Sequence, residues 1–355
     1  MNEKKLVFAV FAVVIVFLAV FALFLYAITQ EGFFSSSDGQ HSSGAYIYPS
    51  NGGYTIHLPR PLGVFAYPNE GDYIGLIGPG YFELIEQIGS WAQIYYDEEA
   101  FWVNLDFLPP TDSLEGFFAD FPHAVSIFYM NVETGFSFTH RENIVYTSAS
   151  LNKLSHALYV YYLSETGLAD LSRMHTFNWA DLRGGTGVIR HFVQAGQQFT
   201  HAELLRYSVR DSDNTAFAIL YNHYTGYAPS YAAFWRDRAR DMTLVGVQRT
   251  HRVTAADFGL VMQYVHEFIE SDTPYARHLQ YSMLNSDVPI IMSDYHIAQK
   301  YGHWQGAFHD VAIIYAPSPY ILVVLTNLDQ LEPFHAFYEI SMLFQNFNDR
   351  YFRPN

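Results

Sequence analysis

The chain opens with a long apolar segment that carries no charged residue, Leu6–Ile28. As a helix this segment would be about 34 Å long, enough to cross a hydrocarbon core of about 30 Å. Lys4 and Lys5 precede it, so the positive-inside rule places residues 1–5 in the cytoplasm and the remainder of the chain outside. A cleaved signal peptide is the alternative, but Leu25-Tyr26-Ala27 is a poor cleavage site. The pattern predicts a single-pass transmembrane anchor in the cell membrane and an extracellular folded part.

A Ser/Gly-rich flexible linker is predicted over residues 29–44, and an all-β domain over residues 45–109. In the second region short aromatic and β-branched runs alternate with turn residues. Gly89–Ile94, an acidic turn and Phe101–Val103 resemble the last strands of a bacterial SH3-like domain. That resemblance implies a small barrel, and cell-wall binding through its aromatic surface is one interpretation. The other is that Trp91 and Trp102 pack in the core or at the rim of the barrel.

From residue 110 to residue 355 the pattern changes to mixed strands and helices. Strand runs come first, a helical block follows, and two further strand runs precede a last amphipathic helix. Capping boxes at Thr200–Glu203 and Thr254–Asp257 predict two helix starts in the block. The other predicted elements are a strand over Ala124–Met130, a helix that begins near Ser150, strands over Val311–Tyr315 and Tyr320–Thr326, and a closing helix with Phe337, Ile340, Phe344 and Phe347 on one stripe.

Composition excludes several classes of function. The chain has no cysteine, so it has neither disulfides nor thiolate metal sites, and none of its sixteen histidines has the H-E-x-x-H spacing of a zinc hydrolase. A net charge of −16 argues against nucleic acid as a partner. We predict neither a metal nor a cofactor.

Lysine is nearly absent beyond the N-terminal segment. Only Lys153 and Lys300 follow Lys5, whereas arginine carries the other positive charges. Because lysine can lose its proton in a protein and arginine cannot, this distribution suggests that lysine chemistry is needed at two places.

Three short motifs surround these lysines in chain order. They are Ser150-Leu151-Asn152-Lys153, Ser212-Asp213-Asn214 and Lys300-Tyr301-Gly302. Together they resemble the active site of the class A β-lactamase and penicillin-binding protein superfamily, over about residues 112–355. The resemblance implies a β-lactamase/transpeptidase-like α/β (α+β) fold, in which helices flank an antiparallel sheet and a helical subdomain adjoins it.

The resemblance also implies a role for each motif residue. Ser150 would be the nucleophile and Lys153, lowered in pKa by burial and by Lys300, its general base. Ser212 would pass a proton to the leaving nitrogen. Asn214 would hydrogen-bond Lys153 and the substrate, and Lys300 would polarise Ser212 and attract a substrate carboxylate. Tyr301 and Gly302 would bind the substrate. The backbone N–H groups of Ser150 and His303 would form an oxyanion hole.

Two features depart from the family pattern. Tyr301 stands where the family has a small hydroxyl residue that helps to bind a substrate carboxylate. The segment Val245–Arg252, where a class A enzyme would have its deacylating glutamate, contains no acidic residue. The neighbouring pair His309-Asp310 is interpreted as a structural strand cap rather than a catalytic pair.

The sequence therefore predicts a membrane-anchored extracellular serine hydrolase or acyltransferase. Its acyl donors would be β-lactams or peptidoglycan-like amides (muropeptides), and its deacylation would be slow. One alternative is a non-catalytic peptidoglycan-binding protein that keeps the fold. Another is a true class A β-lactamase with a different deacylating base.

Overall fold

A computed structural model describes nine stretches of the chain, and all of them belong to one compact unit, Ser43–Asn355. The predicted anchor and linker lie outside the described residues. No helix in the described part of the chain is both long and apolar enough to cross a membrane. The described stretches are residues 46–50, 53–58, 62–68, 73–78, 80–105, 111–121, 124–238, 252–328 and 333–352.

The N-terminal part of the described chain forms a seven-stranded sheet in the order β1-β2-β5-β6-β7-β3-β4. Its core contains Ile56, Ile94 and Val103, all fully buried. Trp102 is buried, and Trp91 packs edge-on against Phe65, so both tryptophans take part in packing. The resemblance to an SH3-like domain stays a prediction. The strands are β1 Tyr46–Ser50, β2 Gly53–Leu58, β3 Leu62–Phe65, β4 Tyr73–Ile77, β5 Gly80–Ile88, β6 Trp91–Tyr96 and β7 Glu99–Asn104.

The second sheet has five antiparallel strands in the order β14-β15-β16-β8-β9. Its central strands β15 and β16 are continuous buried runs because both faces are covered. Along β15, Val311 and Ile313 belong to one core cluster while Ala312 and Ile314 belong to the other, as the alternation of a strand requires. The strands from residue 111 onward are β8 Val125–Asn131, β9 Ser137–His140, β10 Tyr146–Thr147, β11 Met174–Thr176, β12 Gln198–Thr200, β13 Arg252–Val253, β14 Ile297–Trp304, β15 Ala307–Ile314 and β16 Tyr320–Thr326.

Helices cover both faces of this sheet. The last helix, α8, buries the predicted stripe of Phe337, Ile340, Phe344 and Phe347 in one core cluster. On the other face α6 approaches strand β8 through Gly259. The helices are α1 Asp112–Asp120, α2 Asn152–Glu165, α3 His201–Arg210, α4 Asn214–Tyr224, α5 Tyr231–Arg238, α6 Ala255–Glu270, α7 Pro274–Leu284 and α8 Pro333–Tyr351.

The helical block between β9 and β14 has the helix starts that its caps predict. Thr200 and Glu203 form a capping box at the start of α3, and Thr254 and Asp257 form another at the start of α6. Leu151, Leu154 and Leu158 at helical spacing predict one buried face for helix α2, but nearly all of its side chains are buried. It passes through the middle of the block and is packed on every side, so polar residues such as Ser155 are buried as well.

Candidate active site

Ser150 lies in a tight turn between a short strand and the helix that carries Lys153. Strand β10 ends at Thr147, a 3₁₀ turn covers Ala149–Leu151, and α2 begins at Asn152. Ala149 adopts a left-handed backbone with φ 47°, which turns the chain sharply just before Ser150. Ser150 and Lys153, one helical turn apart, both line a cleft of about 340 Å³.

The second motif is held in place by its central carboxylate. Asp213 caps helix α4, where one carboxylate oxygen accepts hydrogen bonds from the N–H groups of Thr215 and Ala216 at 2.8 and 2.9 Å. The other oxygen accepts from the N–H of Ile189 at 2.8 Å. These bonds hold Ser212, just before the cap, in a left-handed conformation with φ 52°. Asp213 thus fixes the turn.

The Lys153 ammonium donates three hydrogen bonds, all to residues of the second motif. It donates to the backbone carbonyl of Ser212, to Ser212 Oγ at 3.2 Å and to Asn214 Oδ1 at 2.7 Å. The amide nitrogen of Asn214 in turn donates to the carbonyl of Gly184 at 2.7 Å. Within the described residues no hydrogen bond joins Lys153 to the Ser150 hydroxyl; in unliganded enzymes such catalytic contacts are commonly long.

Lys300 reaches the same serine from the opposite side of the site. It lies on β14, the edge strand of the five-stranded sheet, and is 0% exposed. Its ammonium donates to Ser212 Oγ at 2.9 Å and to the carbonyl of Tyr301 at 2.8 Å. The hydroxyl of Ser212 therefore accepts from both lysines, and the three motifs meet at this one oxygen.

Burial and mutual repulsion disfavour two positive charges here. Burial lowers the pKa of Lys153 well below 10.5, and the charge of Lys300 lowers it further, against the opposing effects of Asp213 and Asp287. Burial also lowers the pKa of Lys300, to about 7, while Asp287 and Asp310 oppose that shift. A lysine of lowered pKa can serve as a proton acceptor near neutral pH.

Gly302 brings the edge strand against the turn that holds Ser150. A Cβ atom at this position would lie 3.1 Å from Leu151 Cγ and 3.2 Å from the carbonyl oxygen of Ser148. The following residue, His303, lines the same cleft as Ser150. The two residues whose backbone N–H groups the sequence assigns to an oxyanion hole thus border one cavity.

Tyr301 is 6% exposed and is not among the residues that line the cleft. The centre of its ring lies 4.3 Å from the Lys300 ammonium nitrogen. Burial raises the pKa of its phenol to about 12, while side-chain hydrogen bonds with Ser212 and Thr186 lower it. The structure therefore places Tyr301 over Lys300 and not on the open surface that its predicted substrate-binding role suggested.

Several cleft residues were not predicted from the sequence. Thr186 lies in a glycine run in which Gly185 and Gly187 have φ 88° and 127°, and a Cβ at Gly185 would lie 2.5 Å from the Asn214 side chain. That run was a usable sequence signal for a tight loop near the site. The other lining residues that were missed are Thr147, Ala149, Asn152, Phe217 and Trp304.

The pair His309-Asp310 lies inside strand β15 and caps no strand end, so that part of the prediction was wrong. The predicted structural role is nevertheless supported, because both side chains hydrogen-bond to backbone groups. His309 Nδ1 accepts from the N–H of Thr326 at 3.1 Å, which leaves Nε2 to donate to the carbonyl of Thr147 at 2.8 Å. The carboxylate of Asp310 accepts from the backbone N–H groups of Ile290, Ile291 and Val311.

The sequence matches the family model described as the β-lactamase enzyme family over residues 109–343. The chain belongs to the β-lactamase enzyme family. This span agrees with the resemblance over about residues 112–355 that the three motifs indicate. A comparison with curated proteins found no match.

Solved structures of the β-lactamase fold superpose on about two thirds of the chain. The structure of PBP-A is 14% identical, with a TM-score of 0.56, and the match covers 66% of this chain and 96% of that one. An ancestral class A β-lactamase is 19% identical, with a TM-score of 0.56 and coverage of 66% and 98%. A β-lactamase from Chitinophaga pinensis DSM 2588 is 20% identical, with a TM-score of 0.56 and coverage of 66% and 97%. These likenesses show the fold, and with the family match they place the protein in the β-lactamase-like serine hydrolase superfamily.

Proposed function

We propose that this protein forms an acyl-enzyme on Ser150 with β-lactams or peptidoglycan-like amides, and that it acts as a serine hydrolase or acyltransferase. The observation that carries the proposal is the convergence of Lys153 and Lys300 on Ser212 Oγ, beside a cleft that Ser150 also lines. A serine hydroxyl needs a base to become a nucleophile, and a buried lysine of lowered pKa supplies one.

In the proposed acylation the proton passes between side chains of the three motifs. Neutral Lys153 accepts the proton of Ser150 as the serine oxygen bonds to the substrate carbonyl carbon. The backbone N–H groups of Ser150 and His303 stabilise the negative oxygen that develops. When the C–N bond breaks, Ser212 donates its proton to the leaving nitrogen and takes one from a neighbouring lysine, Lys153 or Lys300, through the hydrogen bonds described above.

Deacylation is the step for which the chain is poorly equipped. The segment Val245–Arg252 has no Glu or Asp to activate a water, and residues 245–251 lie outside the described part of the structure. We therefore propose that the acyl-enzyme is long-lived, which is closer to a penicillin-binding protein than to an efficient β-lactamase.

The proposed location follows from the sequence alone. The apolar segment Leu6–Ile28 would anchor the protein in the cell membrane, with the N-terminus in the cytoplasm and the catalytic domain outside. The strands at residues 45–109 would then be free to contact the cell wall. Chemical labelling of intact cells with a membrane-impermeant reagent would test this topology.

Labelling with a fluorescent penicillin tests the enzymatic proposal. The protein is incubated with the probe at millimolar concentration and its intact mass is followed with time. We expect a single penicilloyl adduct in the parent protein and none in Ser150→Ala. Ser148→Ala is the matched control, since this buried hydroxyl lies in the same turn and has no hydrogen-bond partner in the described structure. A parent protein that acquires no adduct on Ser150 from the penicillin or from a neutral ester would instead support a non-catalytic binding protein.

A further inference from the structure

The Lys300 ammonium is closed off from the cleft. The side chain is 0% exposed, and two of its three N–H donors are used by Ser212 Oγ and the carbonyl of Tyr301. The centre of the Tyr301 ring lies 4.3 Å from this nitrogen. Lys300 is also not among the residues that line the cleft, so a ligand in the cleft does not reach its ammonium in this arrangement.

The described residues that line the cleft include no substitute cation with a free donor. Among the described lining residues the only ammonium is that of Lys153, and its three donors go to the carbonyl and hydroxyl of Ser212 and to Asn214. His303 is the other titratable group of the wall. The carboxylate of Asp287 is close enough to raise the pKa of both lysines, so it adds negative charge to this region.

Tyr301 is fixed by its strand and by burial. Its backbone pairs with Asp310 of β15, its side chain is buried, and Ser212 and the cleft residue Thr186 lie near its phenol. A carboxylate brought to this end of the cleft would lose its water without gaining a charged partner, which is costly.

We infer that Tyr301 makes the cleft selective for uncharged acyl donors, namely esters and amides that carry no carboxylate on the leaving group beside the scissile bond. The inference rests on the proposed acyl-enzyme function and names the substrate class of that same site. Amidated peptides and neutral esters fit this class, whereas penicillins, which carry a carboxylate there, are acylated at a disadvantage.

Two esters with one shared acyl group test the inference. One is the N-acylglycyl ester of lactic acid and the other is the N-acylglycyl ester of lactamide, so they differ only in a carboxylate against a carboxamide. Both give the same acyl-enzyme, so any difference in kcat/KM arises in acylation. The assay is run at pH 8, where imidazole side chains are ordinarily neutral.

We expect the parent protein to prefer the lactamide ester by about tenfold or more, a ratio of the size that an unpaired charge in a binding site produces. In Tyr301→Thr the ratio should fall to about one or invert. The smaller side chain exposes Lys300 to water, which relieves the burial that lowers its pKa, so that a charged ammonium can pair with the carboxylate. Tyr301→Phe is the matched control. It keeps the ring over the ammonium and should keep the preference for the neutral ester.

Each outcome separates the inference from the proposed function. Equal rates in the parent protein, or a faster reaction of the lactic acid ester, would overturn the inference while an adduct on Ser150 left the proposed function standing. An unchanged ratio in Tyr301→Thr would show that Tyr301 does not set the selectivity. If neither ester reacts and no adduct forms at Ser150, the proposed function fails and the inference fails with it.

Discussion

Lys153 and Lys300 both donate to the hydroxyl of Ser212, but only Lys153 also lies one helical turn after Ser150, the proposed nucleophile. If Lys153 is the base for Ser150, it must lose a proton, and arginine cannot do so in a protein. We therefore expect Lys153→Arg to slow penicillin acylation by about 10² or more, the usual contribution of general-base assistance. The rate of adduct formation measures this effect, with thermal unfolding as the check on folding. Near-normal acylation would mean that Lys153 serves only as a charge.

The pH dependence of acylation should report the same residue. A base must be neutral to accept a proton, so the rate rises as pH passes through the pKa of Lys153 and the ammonium is lost. Burial and the charge of Lys300 lower that pKa, so the rising limb should lie well below pH 10.5. In Lys300→Gln the neighbouring charge is gone and the limb should move to higher pH. A limb that stays in place would show that the two lysines do not interact in this way.

At the scale of elements, helix α6 and strand β8 meet at a glycine that has no room for a side chain. A Cβ on Gly259 would lie 2.5 Å from Phe128 Cγ, a ring atom only two bonds from the Cα of the strand. Alanine normally stabilises a helix relative to glycine by about 1 kcal/mol. Here Gly259→Ala should instead destabilise the protein by about 1–3 kcal/mol, because the helix must move away from the sheet. Urea unfolding measures the change.

Gly116 provides the matched control for that prediction. It lies inside helix α1, and no atom lies within 4 Å of the position that its Cβ would take. Gly116→Ala should therefore leave stability unchanged or raise it by up to about 1 kcal/mol. Equal effects of the two substitutions would show that helix propensity, and not the contact with Phe128, decides the outcome at Gly259.

Element starts were predictable wherever a local signal fixes them. Thr200 and Thr254 start their helices as their capping boxes predict, because a cap is an interaction between residues that are three positions apart. The surroundings of α2 were not predictable in this way. Its stripe of leucines indicates one buried face, but the burial of Ser155 and Tyr159 depends on helices that are distant in the chain.

The same division holds for the candidate site. The three motifs gave the residues that converge on Ser212, since each motif is a short pattern with its own chemistry. Phe217 and Trp304 carry no such pattern, and they line the cleft only because distant elements bring them to Ser150. The burial of Tyr301 could not be predicted either. The alternation of polar and apolar residues along a strand does not show that an edge-strand side chain packs against the neighbouring lysine.

At the scale of the whole molecule, the protein should consume β-lactam in a burst. The proposed acylation residues are present, but Val245–Arg252 has no acidic residue to assist the second step. We expect about one equivalent to be consumed rapidly, followed by a steady rate well below the median enzyme turnover of about 10 per second. Hydrolysis followed by absorbance, with the protein concentration varied, gives the burst amplitude. Rapid multiple turnover without a burst would point to a working β-lactamase in which another group activates the water.

The close approach at Gly302 limits which residues can occupy that position. The edge strand can approach the Ser150 turn this closely because Gly302 has no Cβ atom. A methyl group there would lie 3.1–3.2 Å from Leu151 and Ser148. Such contacts give way only when the turn shifts by a few tenths of an ångström, and reaction geometry is sensitive to displacements of that order. The position of Ser150, the proposed nucleophile, thus depends on the absence of a side chain at a residue about 150 positions away in the chain. A saturation library at position 302 should retain activity only with glycine, while alanine gives a folded protein with a misaligned serine.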